Sequence, residues 1–234
     1  MLTVILLPGM DGTGNLFSPF TDLFPDDWNI RVAAYPNDPD AGYKELEMQV
    51  QKLIPQTGEY ILLGESFSGP LAISLAKHAD DRLIALILCC TFIKNPIQFG
   101  SSAIAFLAKF PLSFVPKSLL EKFLLGRFHT PEITKLLHKT LKKVSAKTIV
   151  KRIKEVQEVD MSDSLLEVKA PTLYLRATDD SIVSLRSSEL ILSLKPTIKI
   201  IDIQGPHCLL QTSPEQSLHC ILEFLQLKTN TEKK

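Results

Sequence analysis

Short apolar runs alternate with amphipathic stretches along most of this chain, and this alternation limits the folds that it can adopt. Each run is four to six residues long and bounded by glycine, proline or polar residues, as buried strands are. The six runs are Thr3–Leu7, Ile30–Ala34, Tyr60–Leu63, Leu83–Leu88, Thr172–Leu175 and Lys199–Ile203. The amphipathic stretches are Tyr43–Ile54, Pro70–His78, Ser184–Leu194 and Pro214–Leu225. The pattern predicts an α/β fold with a doubly wound, mostly parallel sheet of about six strands.

One long segment without strand-like runs interrupts this alternation. The segment from Asn95 to about Glu167 contains four prolines and then an extended amphipathic helical pattern. We interpret it as a helical cap that is inserted between the fourth and fifth strands. The predicted domains are therefore a core of residues 1–91 and 169–234 and a cap of residues 92–168.

Composition excludes several other classes of protein. A hydrophobic fraction of 45% with 22% charged residues is that of a globular chain and not of a disordered one. The four cysteines have no metal-ligand spacing, which favours reduced thiols in a reducing compartment. The apolar run at the start is too short for a signal sequence or a membrane span. We expect a cytoplasmic protein without a metal or a membrane-spanning segment.

The third strand runs into the sequence Gly64-Glu65-Ser66-Phe67-Ser68, which is followed by a helical pattern. A sharp strand-to-helix turn with a serine at its apex needs small residues two positions before and after it. The turn resembles the nucleophile elbow of α/β-hydrolases, with Ser66 as the nucleophile and Ser68 in place of the usual second glycine. Ser68 fits the nucleophile position less well, because Pro70 would then fill the second small position. The alternative is a plain turn with capping serines.

The resemblance to α/β-hydrolases implies two partners for Ser66. The catalytic acid of that superfamily follows the fifth core strand in a D-x-x-V pattern, which Asp180 matches and Asp179 does not. The base follows the last strand, where His207 lies on a Gly-Pro loop. The order Ser66, Asp180, His207 is the order of that superfamily, and all three residues would lie at the carboxyl ends of the strands.

A glycine-rich loop, Gly9-Met10-Asp11-Gly12-Thr13-Gly14, follows the first strand. It lacks the Lys-Ser/Thr pair of a P-loop and the spacing of a dinucleotide fingerprint. Within the resemblance it occupies the oxyanion loop. The backbone N–H groups of Met10 and Phe67 would then be the two oxyanion donors, without a metal or another cofactor.

The resemblance extends over essentially the whole chain and implies hydrolysis of a carboxylic ester through an acyl-enzyme on Ser66. The wording of the oxyanion loop and the elbow is similar to that of small bacterial serine esterases and thioesterases. A thioesterase or an acyltransferase remains open, as does a lyase or a C–C hydrolase with the same triad. A non-catalytic ligand receptor on this fold is a further alternative.

Charge is distributed unevenly although the net charge is zero. Residues 92–154 carry eleven Lys and two Arg against two Glu, a net charge of +11. Most of the excess lies in one helical stretch, at Lys135, Lys139, Lys142, Lys143, Lys147, Lys151, Arg152 and Lys154. The stretch is either a solvated face or a docking surface for an acidic acyl carrier protein, as used by some similar esterases. Nucleic acid fits less well, because a cap over an esterase pocket has no evident use for it.

Overall fold

The computed structural model describes residues 1–96 and 116–231, and the architecture reported below is that of these residues. Six strands form one sheet with the order β2-β1-β3-β4-β5-β6, and every neighbouring pair is parallel. The strands are β1 (Thr3–Leu7), β2 (Asn29–Val32), β3 (Tyr60–Glu65), β4 (Leu83–Cys89), β5 (Thr172–Ala177) and β6 (Lys199–Ile203). The predicted six-stranded parallel sheet is confirmed.

Helices cover both faces of this sheet. The described helices are α1 (Ser18–Thr21), α2 (Tyr43–Gln51), α3 (Gly69–Lys77), α4 (Lys117–Leu124), α5 (Pro131–Leu141), α6 (Ala146–Glu158), α7 (Ser162–Glu167), α8 (Leu185–Leu194), α9 (Leu209–Thr212) and α10 (Pro214–Thr231). Helices α2, α3 and α8 contribute to the core on one face, whereas α1, α9 and α10 contribute to the core on the other. The sheet is therefore doubly wound, as the apolar strands predict.

Strand β1 shows why the sheet needs this double cover. Ile5 and Leu7 pack into one core, and Val4 and Leu6 pack into the other, because successive side chains of a strand point to opposite faces. All four are at most 2% exposed. Burial on both faces explains the continuous apolar run in place of an alternating one.

The segment between β4 and β5 is helical where the structure describes it. It contains α4 to α7, and its two ends meet: the Met161 amide donates to the Ile93 carbonyl at 2.8 Å, and Lys94 forms an ion pair with Asp160 at 3.0 Å. The first part of the predicted cap, residues 97–115, lies outside the described residues. The exact domain boundaries stay a prediction.

The long amphipathic pattern of this segment forms two helices, not one. Helix α6 begins at a serine cap, where Ser145 Oγ accepts a hydrogen bond from the Thr148 amide at 3.1 Å. Helix α5 begins in the same way at Thr130, whose side chain accepts from the Ile133 amide. The Ser145 cap therefore divides the basic stretch between α5 and α6.

The four cysteines are free and buried. Within the described ranges, no helix has the length and apolar character that a membrane crossing requires. The same ranges contain no group of three His, Cys, Asp or Glu side chains that could hold a metal ion.

Candidate active site

Ser66 lies at the apex of a tight turn between β3 and α3. Its φ of 50° is in the left-handed region, which a residue with a side chain enters only when its surroundings hold it there. A single 3₁₀ turn, Ser66–Ser68, leads directly into α3. Ser66 is thus the first residue after the strand, and it is 9% exposed.

Close packing fixes the small residues around this turn. A Cβ atom on Gly64 would lie 2.7 Å from the Ser68 carbonyl oxygen, and one on Gly69 would lie 1.9 Å from Thr91 Oγ1. Ser68 itself is fully buried, and its hydroxyl contacts the Tyr35 hydroxyl at 2.6 Å and donates to the Pro8 carbonyl. The serine that replaces the second glycine therefore connects the turn to the end of β1.

The structure brings Ser66, His207 and Asp180 together from the ends of β3, β6 and β5. Ser66 Oγ lies 2.8 Å from His207 Nε2, and His207 Nδ1 lies 3.0 Å from both carboxylate oxygens of Asp180. The side chains of His207 and Asp180 are each 7% exposed. This is the connectivity in which a carboxylate orients a histidine and the histidine accepts a proton from a serine.

Backbone amides hold Asp180 in this orientation. Its Oδ1 accepts hydrogen bonds from the amides of Ile182 at 2.8 Å and Val183 at 2.9 Å. Asp179 lies elsewhere: its side chain is 37% exposed and contacts Arg127 at 3.4 Å and Thr178 at 2.8 Å. Of the two neighbouring acids, Asp180 is the one that contacts the histidine.

Two buried carboxylates set the electrostatics around His207. Burial opposes the charged imidazole, but the charge and hydrogen bond of Asp180, together with the charge of Glu65, outweigh it and raise the pKa of His207. Glu65 is only 5% exposed, and burial raises its pKa to about 7, with the Asp11 charge acting in the same direction. A histidine with a raised pKa is a stronger proton acceptor, which suits a general base.

The glycine-rich loop forms a turn beside Ser66. The Gly12 amide donates to the Gly9 carbonyl at 3.0 Å, and a Cβ atom on Gly9 would lie 3.8 Å from Ser66 Cβ. Phe67 is the second residue of the 3₁₀ turn, where a helical N–H has no partner within the helix. Among the hydrogen bonds of the described residues, none has the Met10 or Phe67 amide as its donor.

One buried residue beside this site is not predicted by the sequence pattern. The charge pattern groups Arg152 with surface lysines, but Arg152 is only 1% exposed and its guanidinium lies against the glycine-rich loop. The expectation that Arg152 belongs to a solvated or docking face is wrong. The helical spacing indicates this burial: Thr148 and Val156, four residues before and after Arg152, lie on the same face of α6 and are also buried.

Comparisons with known proteins identify the family of this chain. A family model described as Serine aminopeptidase, S33 matches residues 32–205. An abhydrolase domain-containing protein of Schizosaccharomyces pombe is 24% identical in an alignment that covers 97% of this chain and 71% of that protein.

Two solved structures share the fold. An esterase from Exiguobacterium antarcticum matches with a TM-score of 0.79 at 14% identity, covering 97% of this chain and 92% of that one. A thermophilic esterase from Thermogutta terrifontis matches with a TM-score of 0.77 at 19% identity, covering 97% and 90%. Because the family model matches well over half of this chain, the chain belongs to the S33 serine aminopeptidase family of α/β-hydrolases.

Proposed function

We propose that this hydrolase cleaves a carboxylic ester through an acyl-enzyme on Ser66. The main support for the proposal is that Ser66 Oγ contacts His207 Nε2 while His207 Nδ1 contacts Asp180. Support for an ester comes from the two similar structures described as esterases.

In the proposed reaction, His207 Nε2 removes the proton from Ser66 Oγ as the oxygen attacks the ester carbonyl. Asp180 keeps the Nδ1 proton in place and stabilises the imidazolium that forms. His207 then protonates the leaving alcohol. In the second half of the cycle it activates the water that releases the acid and regenerates Ser66.

During both halves of the reaction cycle, the negative charge that develops on the carbonyl oxygen must be stabilised by hydrogen-bond donors. We assign this role to the backbone N–H groups of Met10 and Phe67. The support is their position beside Ser66 and the lack of any other acceptor for them among the described hydrogen bonds. Donors that are already in place stabilise the oxyanion without reorganisation.

Replacing Ser66 tests the proposal. Ser66→Ala should reduce turnover of short p-nitrophenyl esters by roughly 10⁴-fold or more, because the serine and its base act as a unit. Ser68→Ala is the matched control and should lose far less, since the Ser68 hydroxyl contacts Tyr35 and Pro8 and not His207. Near wild-type turnover by a folded Ser66→Ala protein would refute the assignment.

A second candidate is an acyl substrate on an acidic carrier protein, released by thioester or ester cleavage or passed to an alcohol. Helices α5 and α6 and the turn between them present exposed lysines that join no ion pair among the described residues. This basic surface consists of Lys135, Lys139, Lys142, Lys143, Lys147 and Lys154. Uncompensated positive charge of this kind attracts an acidic partner at long range.

A further inference from the structure

Arg152 is a cation in an unusual place. It belongs to α6, in the segment between β4 and β5, yet its side chain is buried against loops of the core. Taking a guanidinium out of water is costly unless its donors and its charge are compensated. Its Nε has no hydrogen-bond partner, so the remaining contacts must account for its position.

Those contacts converge on the glycine-rich turn. Arg152 Nη1 donates to the carbonyls of Met10 and Asp11, each at 2.8 Å, and Nη2 donates to the Pro36 carbonyl at 3.1 Å. The guanidinium packs so closely on the turn that a Cβ atom on Gly12 would lie 2.5 Å from Nη1.

The pattern of acceptors shows what these bonds fix. The Gly12 amide holds the Gly9 carbonyl, which orients the peptide plane that carries the Met10 N–H. Arg152 holds the next two carbonyls, so it orients the two peptide planes that follow. Without Arg152, the Met10 and Asp11 carbonyls would lose these hydrogen bonds, whereas the Gly9–Gly12 bond and the bond from the Tyr35 amide to the Gly12 carbonyl would remain.

The same guanidinium also reaches the elbow. It lies over the Phe67 ring at 5.9 Å and over the Tyr35 ring at 5.7 Å, within the range of cation–π attraction. The Asp11 charge faces it, and the Asp11 carboxylate is itself held by the Thr13 amide at 2.9 Å. One side chain thus contacts both residues to which the oxyanion donors are assigned.

We propose that Arg152 is a positioning residue for the oxyanion hole, supplied to the core by helix α6. It acts through the backbone of the glycine-rich turn and does not touch the substrate. A planar fork of donors can hold three carbonyls at once, which a lysine ammonium on a flexible stem cannot reproduce. The inference rests on the proposed function of Ser66 and on the donors assigned above.

The test compares Arg152→Lys and Arg152→Ala with Arg186→Ala, which removes an exposed arginine on α8. For a p-nitrophenyl ester we expect kcat to fall about 10- to 100-fold in both Arg152 variants, with KM within about threefold, because a displaced donor mainly affects the transition state. The Arg186 variant should retain wild-type kinetics. Circular dichroism and thermal melts identify any variant that fails to fold.

Two further readouts separate positioning from general support. The Ki of a phenylboronic acid, whose Ser66 adduct places an oxygen in the oxyanion hole, should rise in proportion to the fall in kcat/KM. Guanidinium chloride at about 10–50 mM, far below denaturing concentrations, should restore part of the activity of Arg152→Ala. It should not raise the activity of Arg186→Ala.

Folded Arg152 variants with wild-type kcat and wild-type boronate Ki would overturn the inference. A fall in kcat with an unchanged boronate Ki would also overturn it, since the oxyanion site would then be intact. If Arg152→Ala does not fold, Arg152→Lys alone tests the inference, through the same comparison of the rise in boronate Ki with the fall in kcat/KM. An active Ser66→Ala protein would instead refute the proposed function, so the two failures are distinguishable.

Discussion

Asp179 and Asp180 are neighbours in the chain with identical side chains, but their surroundings give them different chemistry. Asp180 is held by two backbone amides and contacts the histidine, whereas Asp179 is partly exposed beside Arg127. The difference arises from the turn after β5, which directs one carboxylate toward His207 and the other toward solvent.

This contrast gives a prediction with a built-in control. Asp180→Asn should reduce kcat on a small ester by roughly 10³- to 10⁴-fold, because His207 loses the carboxylate that fixes its tautomer. Asp179→Asn makes the same change in charge one residue away and should do far less. Steady-state kinetics of the two folded variants measure the ranking, and the reverse order would move the acid by one residue.

Motif residues and packing residues differ in how far a sequence reveals them. Ser66, Asp180 and His207 could be predicted because each follows a strand in a pattern that resembles that of α/β-hydrolases, and the structure brings the three side chains into contact. Arg152 was not identified, since its partners are carbonyls more than 100 residues away along the chain. Every residue has a backbone carbonyl, so residue types do not show which carbonyls accept a hydrogen bond. Such a contact becomes visible only in the three-dimensional structure.

Among the elements, the strands were easier to predict than the helices between β4 and β5. Strands buried on both faces have continuous apolar runs, and five of the six begin at the residue that the pattern indicates. The helical pattern of the basic stretch continues through a break at Ser145, where a side-chain cap starts a new helix. A cap is one residue long and does not interrupt the hydrophobic period.

The basic surface of α5 and α6 gives a prediction at this scale. Opposite charges chiefly raise association rates and are screened within about 10 Å at 0.1 M salt. For a carrier-linked acyl substrate, kcat/KM should therefore fall steeply with added salt, and Lys142→Glu, Lys143→Glu and Lys147→Glu together should reproduce that fall.

Two controls accompany this measurement. A small soluble ester should be hydrolysed equally well by the reversed protein. A second triple reversal at the exposed residues Lys44, Lys52 and Lys199 makes the same charge change outside α5 and α6. If both reversals weaken the carrier-linked reaction equally, or if neither does, these helices do not dock a carrier and form only a solvated face.

For the molecule as a whole, Glu65 links the site to global stability. Burial raises the pKa of Glu65 to about 7 in the folded protein, from about 4.5 in the unfolded chain, so the folded state binds the carboxyl proton more tightly. The stability that Glu65 contributes is fully present below pH 4.5. It is lost as the pH rises through about 7, because the unfolded chain releases the proton first.

Glu65→Gln removes this dependence, since an amide does not titrate. The free energy of unfolding of the variant, relative to that of the wild type, should rise by roughly 2–3 kcal/mol between pH 5 and pH 8. Denaturant titrations at the two pH values measure it, and the exposed Glu59→Gln serves as the control. A difference between variant and wild type that does not change with pH would show that Glu65 is ionised in the folded protein at both values.

The central claim is that Ser66 is the nucleophile and that His207 activates it, and covalent trapping tests this most directly. A fluorophosphonate loses fluoride when a serine oxygen attacks its phosphorus, which leaves a stable adduct. Intact-mass analysis and peptide mapping should find one adduct per chain, at Ser66. Labelling should be much slower in His207→Ala and absent in Ser66→Ala. A folded wild-type protein that forms no adduct, or forms it at Ser68 or another residue, would contradict the account.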